Sequence, residues 1–99
     1  MLNITDRRED NALTLALEGR LDTTTAPELE TVLNEQLGDA TELVFDMKDL
    51  EYISSAGLRV LLSTQKRMNR RGSMKVVGVS ETIMEIFEIT GFCDILTFD

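Results

Sequence analysis

The spacing of apolar residues changes period several times along this chain, and each change marks an element. Leu13, Leu15 and Leu17 alternate with Ala12, Thr14 and Ala16, the period of two expected of a strand with one face in a core. Leu2 and Ile4 alternate with polar residues ahead of the turn signal Glu9-Asp10-Asn11, so the start reads as a β-hairpin. Leu29, Val32, Leu33 and Leu37 then fall on one face of a helix. Thr25 as cap, Pro27 in the first turn and Glu28 in a capping box would start that helix, and Gly38 would end it. Residues 42–46 form a short apolar run without alternation, expected to be a central strand buried on both faces and ending at Asp46. Ser54-Ser55 opens a second helix with Leu58, Leu61, Leu62 and Met68 on one side, and Gly72 terminates it. A strand over 74–79 follows. Ser80 then caps a third helix carrying Ile83, Ile86 and Phe87, closed by Gly91-Phe92. A last strand is expected over 95–98. The order is ββαβαβαβ, an α/β fold: a mixed sheet, parallel where crossovers connect it, with helices packed on at least one face.

With 99 residues, 42% hydrophobic and 28% charged, the chain is expected to form a single domain over 1–99. Cys93 is the only cysteine and there is no histidine. These absences exclude an intramolecular disulfide and Ser-His-Asp or Cys-His catalysis, and leave a zinc site without its usual ligands. The formal net charge of -8 opposes binding to nucleic acid and to anionic membranes. No apolar run approaches the ~20 residues that span a bilayer. The N-terminus lacks the basic and apolar regions of a signal peptide, so a cytoplasmic location is the expectation.

Residues 46–58, Asp-Met-Lys-Asp-Leu-Glu-Tyr-Ile-Ser-Ser-Ala-Gly-Leu, stand out. Two serines sit where a buried strand gives way to an amphipathic helix, the position at which α/β folds place ligands. A helix N-terminus has unpaired N–H groups and a partial positive charge, which favour anions. One serine is accounted for as the cap; two are more than a cap requires. Gly57 in the first turn costs about 0.5–1 kcal/mol against alanine, which points to a close approach, by another part of the chain or by a partner.

These residues, from Asp46 to Leu62 with Ser54-Ser55-Ala56-Gly57-Leu58 at the centre, resemble the signature of STAS domains (sulfate transporter and anti-sigma factor antagonist). Gly19-Arg20-Leu21-Asp22 followed by Thr25-Ala26-Pro27 resembles the family's turn before its first helix, and Val79-Ser80 through Phe87, then Thr90-Gly91-Phe92, resembles its last helix and strand. The stand-alone length resembles the bacterial anti-anti-sigma factors. The resemblance implies a protein-binding switch with no catalytic role and no cofactor. Unphosphorylated, such an antagonist binds an anti-sigma factor and frees a sigma factor. The anti-sigma factor, often also a serine protein kinase, phosphorylates a serine at the start of this helix and so dissociates the pair; a serine phosphatase resets it. Aligned on the Gly-Leu, the acceptor falls on Ser55, with Ser54 as the lesser candidate. Ser54 stands where the family often has an acidic residue or asparagine, and Ala56 where it often has serine or threonine. The implied partner-binding surface comprises Asp22, Thr23, Asp46, Ser54, Ala56, Gly57 and Arg59. Asp22 and Asp46 are expected at the same sheet edge, beside Ser55.

Two other readings keep a place. The chain can be a STAS adaptor in a transporter or stress-signalling complex, with Ser55 a structural cap. As an enzyme it lacks a Gly-x-Ser-x-Gly elbow and a Walker loop; Asp22, Asp46 and Asp49 on separate segments are a weak signal for magnesium. Last, six of the ten basic residues lie in 59–80, with no acidic residue among them. A solvated helix face with favourable dipole placement explains such a run, and so does a docking patch for an acidic surface.

Overall fold

The computed structural model describes residues 1–99. β1 (Leu2–Glu9) and β2 (Ala12–Leu21) form the hairpin, turning through Asp10 at φ 53°. α1 (Ala26–Gln36) crosses to β3 (Glu42–Ile53), and α2 (Ser55–Asn69) crosses to β4 (Ser73–Val77). α3 (Glu81–Thr90) and a single 3-10 turn, Phe92–Asp94, complete the chain. The sheet order is β1-β2-β3-β4. The hairpin pair is antiparallel and the two pairs joined by crossover helices are parallel, as connection length requires.

Register lines up the apolar residues in rows. Leu13, Leu43 and Met74 are mutual neighbours across β2, β3 and β4, and so are Leu15, Phe45 and Val76. All six are buried. Onto them pack Leu29 and Leu33 of α1, Leu58, Leu61 and Met68 of α2, and Ile83 and Phe87 of α3, in one hydrophobic cluster. The opposite face carries Thr14, Ala16, Val44 and Asp46, half-buried by their strand neighbours only. The expected burial of β3 on both faces is therefore corrected to one. Successive parallel crossovers in one direction along a sheet place their helices on the same side.

β3 does not end at Asp46; it runs on to Ile53. Its pairing with β2 shifts twice, between Ala16 and Glu18 and between Gly19 and Arg20, where β3 carries an extra residue each time. These irregularities change the buried positions from Leu43, Phe45 and Met47 to Leu50 and Ile53, a spacing of three that does not read as a strand. Gly19 accordingly lies inside β2, not at its end. The expected last strand is reduced to one bridge, in which Thr97 O accepts from Val76 N at 2.8 Å and Asp99 N donates to Val76 O at 3.1 Å. The preceding chain is used instead to seat Phe92 against Phe87, ring centroids 6.3 Å apart, after Gly91 at φ 82°. Gly72 is held by contact: a Cβ there would overlap the Thr41 carbonyl.

Candidate functional site

The C-terminal ends of β2 and β3 lie side by side, and α1 and α2 both start there. Leu21 pairs with Ile53, and Ser54 N donates to Leu21 O at 2.9 Å. That bond anchors the start of α2 to the end of β2. Ser54 is the N-cap, in extended conformation, and its Oγ accepts from Gly57 N at 3.4 Å. Ser55 is the first helical residue; it is exposed, and its hydroxyl makes no intramolecular hydrogen bond. The adjacent serines thus divide: one oxygen is spent on the helix, the other faces solvent. The first turn of α2 holds no acidic side chain, so its positive end is not neutralised within the helix. Arg59, one turn on, lies on the same helix face as Ser55; it is exposed and in no ion pair.

The turn before α1 is organised by Asp22. Its Oδ1 accepts from Thr24 N at 3.0 Å, Thr24 Oγ1 at 2.9 Å and Thr25 N at 3.1 Å. The Thr24 hydroxyl is the main reason the carboxyl is held below the usual carboxylate range; burial pushes the other way, and the backbone N–H groups of Thr25 and Thr24 add to the lowering. Thr25 does not cap α1 with its side chain, and the expected capping box is absent. Its Oγ1 instead accepts from Asp22 N at 2.8 Å and donates to Arg20 O at 2.9 Å. Arg20 stacks its guanidinium 4.3 Å from the centre of the Tyr52 ring, and its Nε lies 3.8 Å from Asp22 Oδ2. Between the two helix starts runs a shallow cleft of about 350 Å³, lined by Thr23, Ala26, Pro27 and Glu30 on one side and Ala56, Arg59, Val60 and Ser63 on the other.

Of the residues singled out in the sequence, Asp22, Thr23, Ser54, Ser55, Ala56 and Arg59 converge on this end of the molecule. Two do not fit. Asp46 is seven residues upstream of Ile53, on the open face of the sheet beside Thr5, Arg7, Thr14 and Ala16, where its Oδ1 accepts from Lys48 N at 3.1 Å. It is a residue of the mid-strand, not of the edge next to Ser55. Gly57 is buried, and a Cβ there would lie 2.7 Å from Leu21 Cγ and 2.9 Å from Ile53 Cγ1. Its missing side chain lets α2 dock on the strand ends; it offers no surface to a partner. Glu30 and Ser63 of the cleft gave no signal, and Arg20, Tyr52 and Pro27 lay within the motifs without being singled out as site residues. Arg20 faces Tyr52 only because of the second register shift, which residue spacing does not reveal.

No three carboxylate or thiol groups come together as a metal cluster. Cys93, half-buried with Sγ 3.7 Å from Met84 Sδ, has its thiol pushed up by burial first and by Glu88 and Asp94 next, so it stays protonated at neutral pH. No helix is long and apolar enough to cross a membrane.

The family model for the STAS domain matches residues 3–99. A Staphylococcus aureus protein named anti-sigma-B factor antagonist is 34% identical over 97 residues, covering 96% of this chain and 90% of that protein. The Bacillus subtilis protein of the same name is 30% identical, covering 96% and 88%. The crystal structure of an anti-sigma factor antagonist from Mycobacterium paratuberculosis superposes with a TM-score of 0.89 at 22% identity, over 99% of this chain and 85% of that one.

Proposed function

This chain belongs to the STAS domain family, and from that membership and the site geometry we propose that it is an anti-sigma factor antagonist switched at Ser55. With Ser55 unmodified, the end of the molecule formed by Asp22, Thr23, Ser54, Ser55, Ala56 and Arg59 binds an anti-sigma factor and so releases a sigma factor. The role is one of binding, not turnover. The anti-sigma factor acts as the serine kinase: Ser55 Oγ attacks the terminal phosphorus of ATP, the bond to ADP breaks, and the hydroxyl proton passes to the kinase's base. A serine phosphatase hydrolyses the ester and restores binding.

The observation that carries this reading is the division of labour between Ser54 and Ser55. Modifying Ser55 removes no hydrogen bond from the fold, because the cap is made by Ser54. The added phosphate carries about -1.5 to -2 charges at neutral pH. It would sit at the positive end of α2, a turn before Arg59, where the fold tolerates it. At an interface the same group is intolerable. A partner surface shaped to a neutral hydroxyl would have to desolvate a dianion. A loss of even ~3 kcal/mol lowers affinity roughly a hundredfold.

The test is a set of binding isotherms with the anti-sigma factor, with and without ATP. Ser55→Ala stays bound in ATP while the wild type dissociates. Ser55→Asp and Ser55→Glu bind at least tenfold more weakly and melt like the wild type. A Ser55→Asp protein that is folded and binds at wild-type strength contradicts the reading.

A further inference from the structure

The other end of α2 carries a feature that the Ser55 switch leaves unused. Lys66, Arg67, Arg70 and Arg71, with Ser63, line a depression of about 410 Å³ that contains no acidic and no apolar side chain. All four cations are exposed. None is in an ion pair; the three pairs in the molecule are Arg8–Asp39, Arg20–Asp22 and Lys75–Asp99. That is unexpected in a chain of net charge -8.

Helix dipoles answer part of this charge. Arg67 Nη1 donates to Asn34 Oδ1 at 3.2 Å and Arg71 Nη2 donates to Gly38 O at 2.7 Å, so the C-terminal ends of α1 and α2 meet under the cluster. Each such end carries about half a negative charge. Together they offset about one of the four positive charges and leave about three without a counterpart. Lys66 and Arg70 make no side-chain hydrogen bond within the chain.

We infer that this cluster is the cationic rim of the docking surface, and that it receives an acidic patch on the anti-sigma factor that binds at Ser55. The inference rests on the reading proposed above and extends the surface along the helix. Ser55, Arg59, Ser63, Lys66 and Arg70 follow one another at i, i+4, i+8, i+11 and i+15, a continuous exposed face about 22 Å long. Ser63 lines both the cleft beside Ala56 and the cationic depression, so the two are one track. A small-molecule site would offer apolar walls and bury its ligand; this one has neither. Nucleic acid and anionic membranes meet the repulsion of the whole acidic molecule before they reach the patch. A protein surface with a local cluster of carboxylates fits the geometry, and charges at a rim act chiefly on the rate of encounter.

The test is stopped-flow association with the anti-sigma factor at low and high salt. The variants are Lys66→Glu with Arg70→Glu, which break no intramolecular bond, and Ser55→Asp in parallel. The doubly reversed protein associates at least tenfold more slowly at low salt, loses most of its salt dependence, and dissociates at nearly the wild-type rate. Unchanged association in that variant overturns the cationic rim and leaves the Ser55 reading standing. Unimpaired binding by Ser55→Asp with slowed association in the doubly reversed variant overturns the switch and leaves the rim. A wild type that does not bind the anti-sigma factor, or whose patch captures duplex DNA without affecting anti-sigma association, overturns the rim as well.

Discussion

Asp22 and Gly57 show how differently two residues of neighbouring motifs shape the same end of the molecule. Asp22 holds its turn through hydrogen bonds from the backbone and hydroxyl groups of Thr24 and Thr25 to one oxygen, and its carboxyl is lowered as a result. A carboxyl lowered on folding adds stability above its unfolded value of about 4, and that contribution is lost as pH falls through the folded value. Asp22→Asn should therefore be less stable than wild type at neutral pH, and the two melting curves should converge at the acid end. Equal differences at pH 7 and at the acid end would contradict this. Gly57→Ala sets two effects against each other. Helix propensity favours alanine by about 1 kcal/mol, whereas overpacking against Leu21 and Ile53, both buried, costs about 1–3 kcal/mol. Crowding should win by about 1 kcal/mol in urea denaturation; a gain in stability would show that the contact yields. The oddity of a glycine at that position was visible in the residue order. What it touches was not, because Leu21 and Ile53 reach it from two different strands.

At the level of elements, the boundary between β3 and α2 carries the account. Ser54→Ala should cost about 0.5–1 kcal/mol, the low end for a cap because the bond is long at 3.4 Å. Ser55→Ala should change stability by less than about 0.5 kcal/mol, since no hydrogen bond is lost. Equal costs for the two substitutions would mean that both oxygens serve the helix. The hairpin, the helices and the caps at Ser80 and Gly91 were legible from period and punctuation, since each depends on near neighbours in the chain. The second half of β3 was not. Two extra residues break the alternation of its buried positions, and Asp46 consequently looked like a strand end. The closing strand is cut short for a related reason: the chain turns through Phe92–Asp94 to seat Phe92 against Phe87, and only Phe98 is left to bridge to Val76 of β4. Thr25 was legible as a helix-start residue, yet its hydroxyl is taken by Asp22 N and Arg20 O, groups that only the folded turn presents to it.

Across the whole molecule, the side-by-side arrangement of α1 and α2 puts the two ends of the proposed docking track one helix length apart. Both N-terminal ends meet at Ser55 and both C-terminal ends meet at the cluster of Lys66, Arg67, Arg70 and Arg71. The charge run was plain in the residue order, and helical spacing alone puts Lys66, Arg67, Arg70 and Arg71 on one side of α2; that no carboxylate pairs with them is seen only in the fold. In the proposed switch, a phosphate on exposed Ser55 would lie outside the single cluster of apolar side chains that forms the core, so binding would be lost without loss of the fold. The most direct test is the affinity of the protein phosphorylated on Ser55, with the position established by fragmentation mass spectrometry, for its anti-sigma factor. Titration calorimetry should give a Kd weaker by about a hundredfold, on a sample whose melting temperature stays within a few degrees of the unmodified protein. An unchanged Kd on that same sample, or weakened binding that comes only with loss of the fold, would contradict the account.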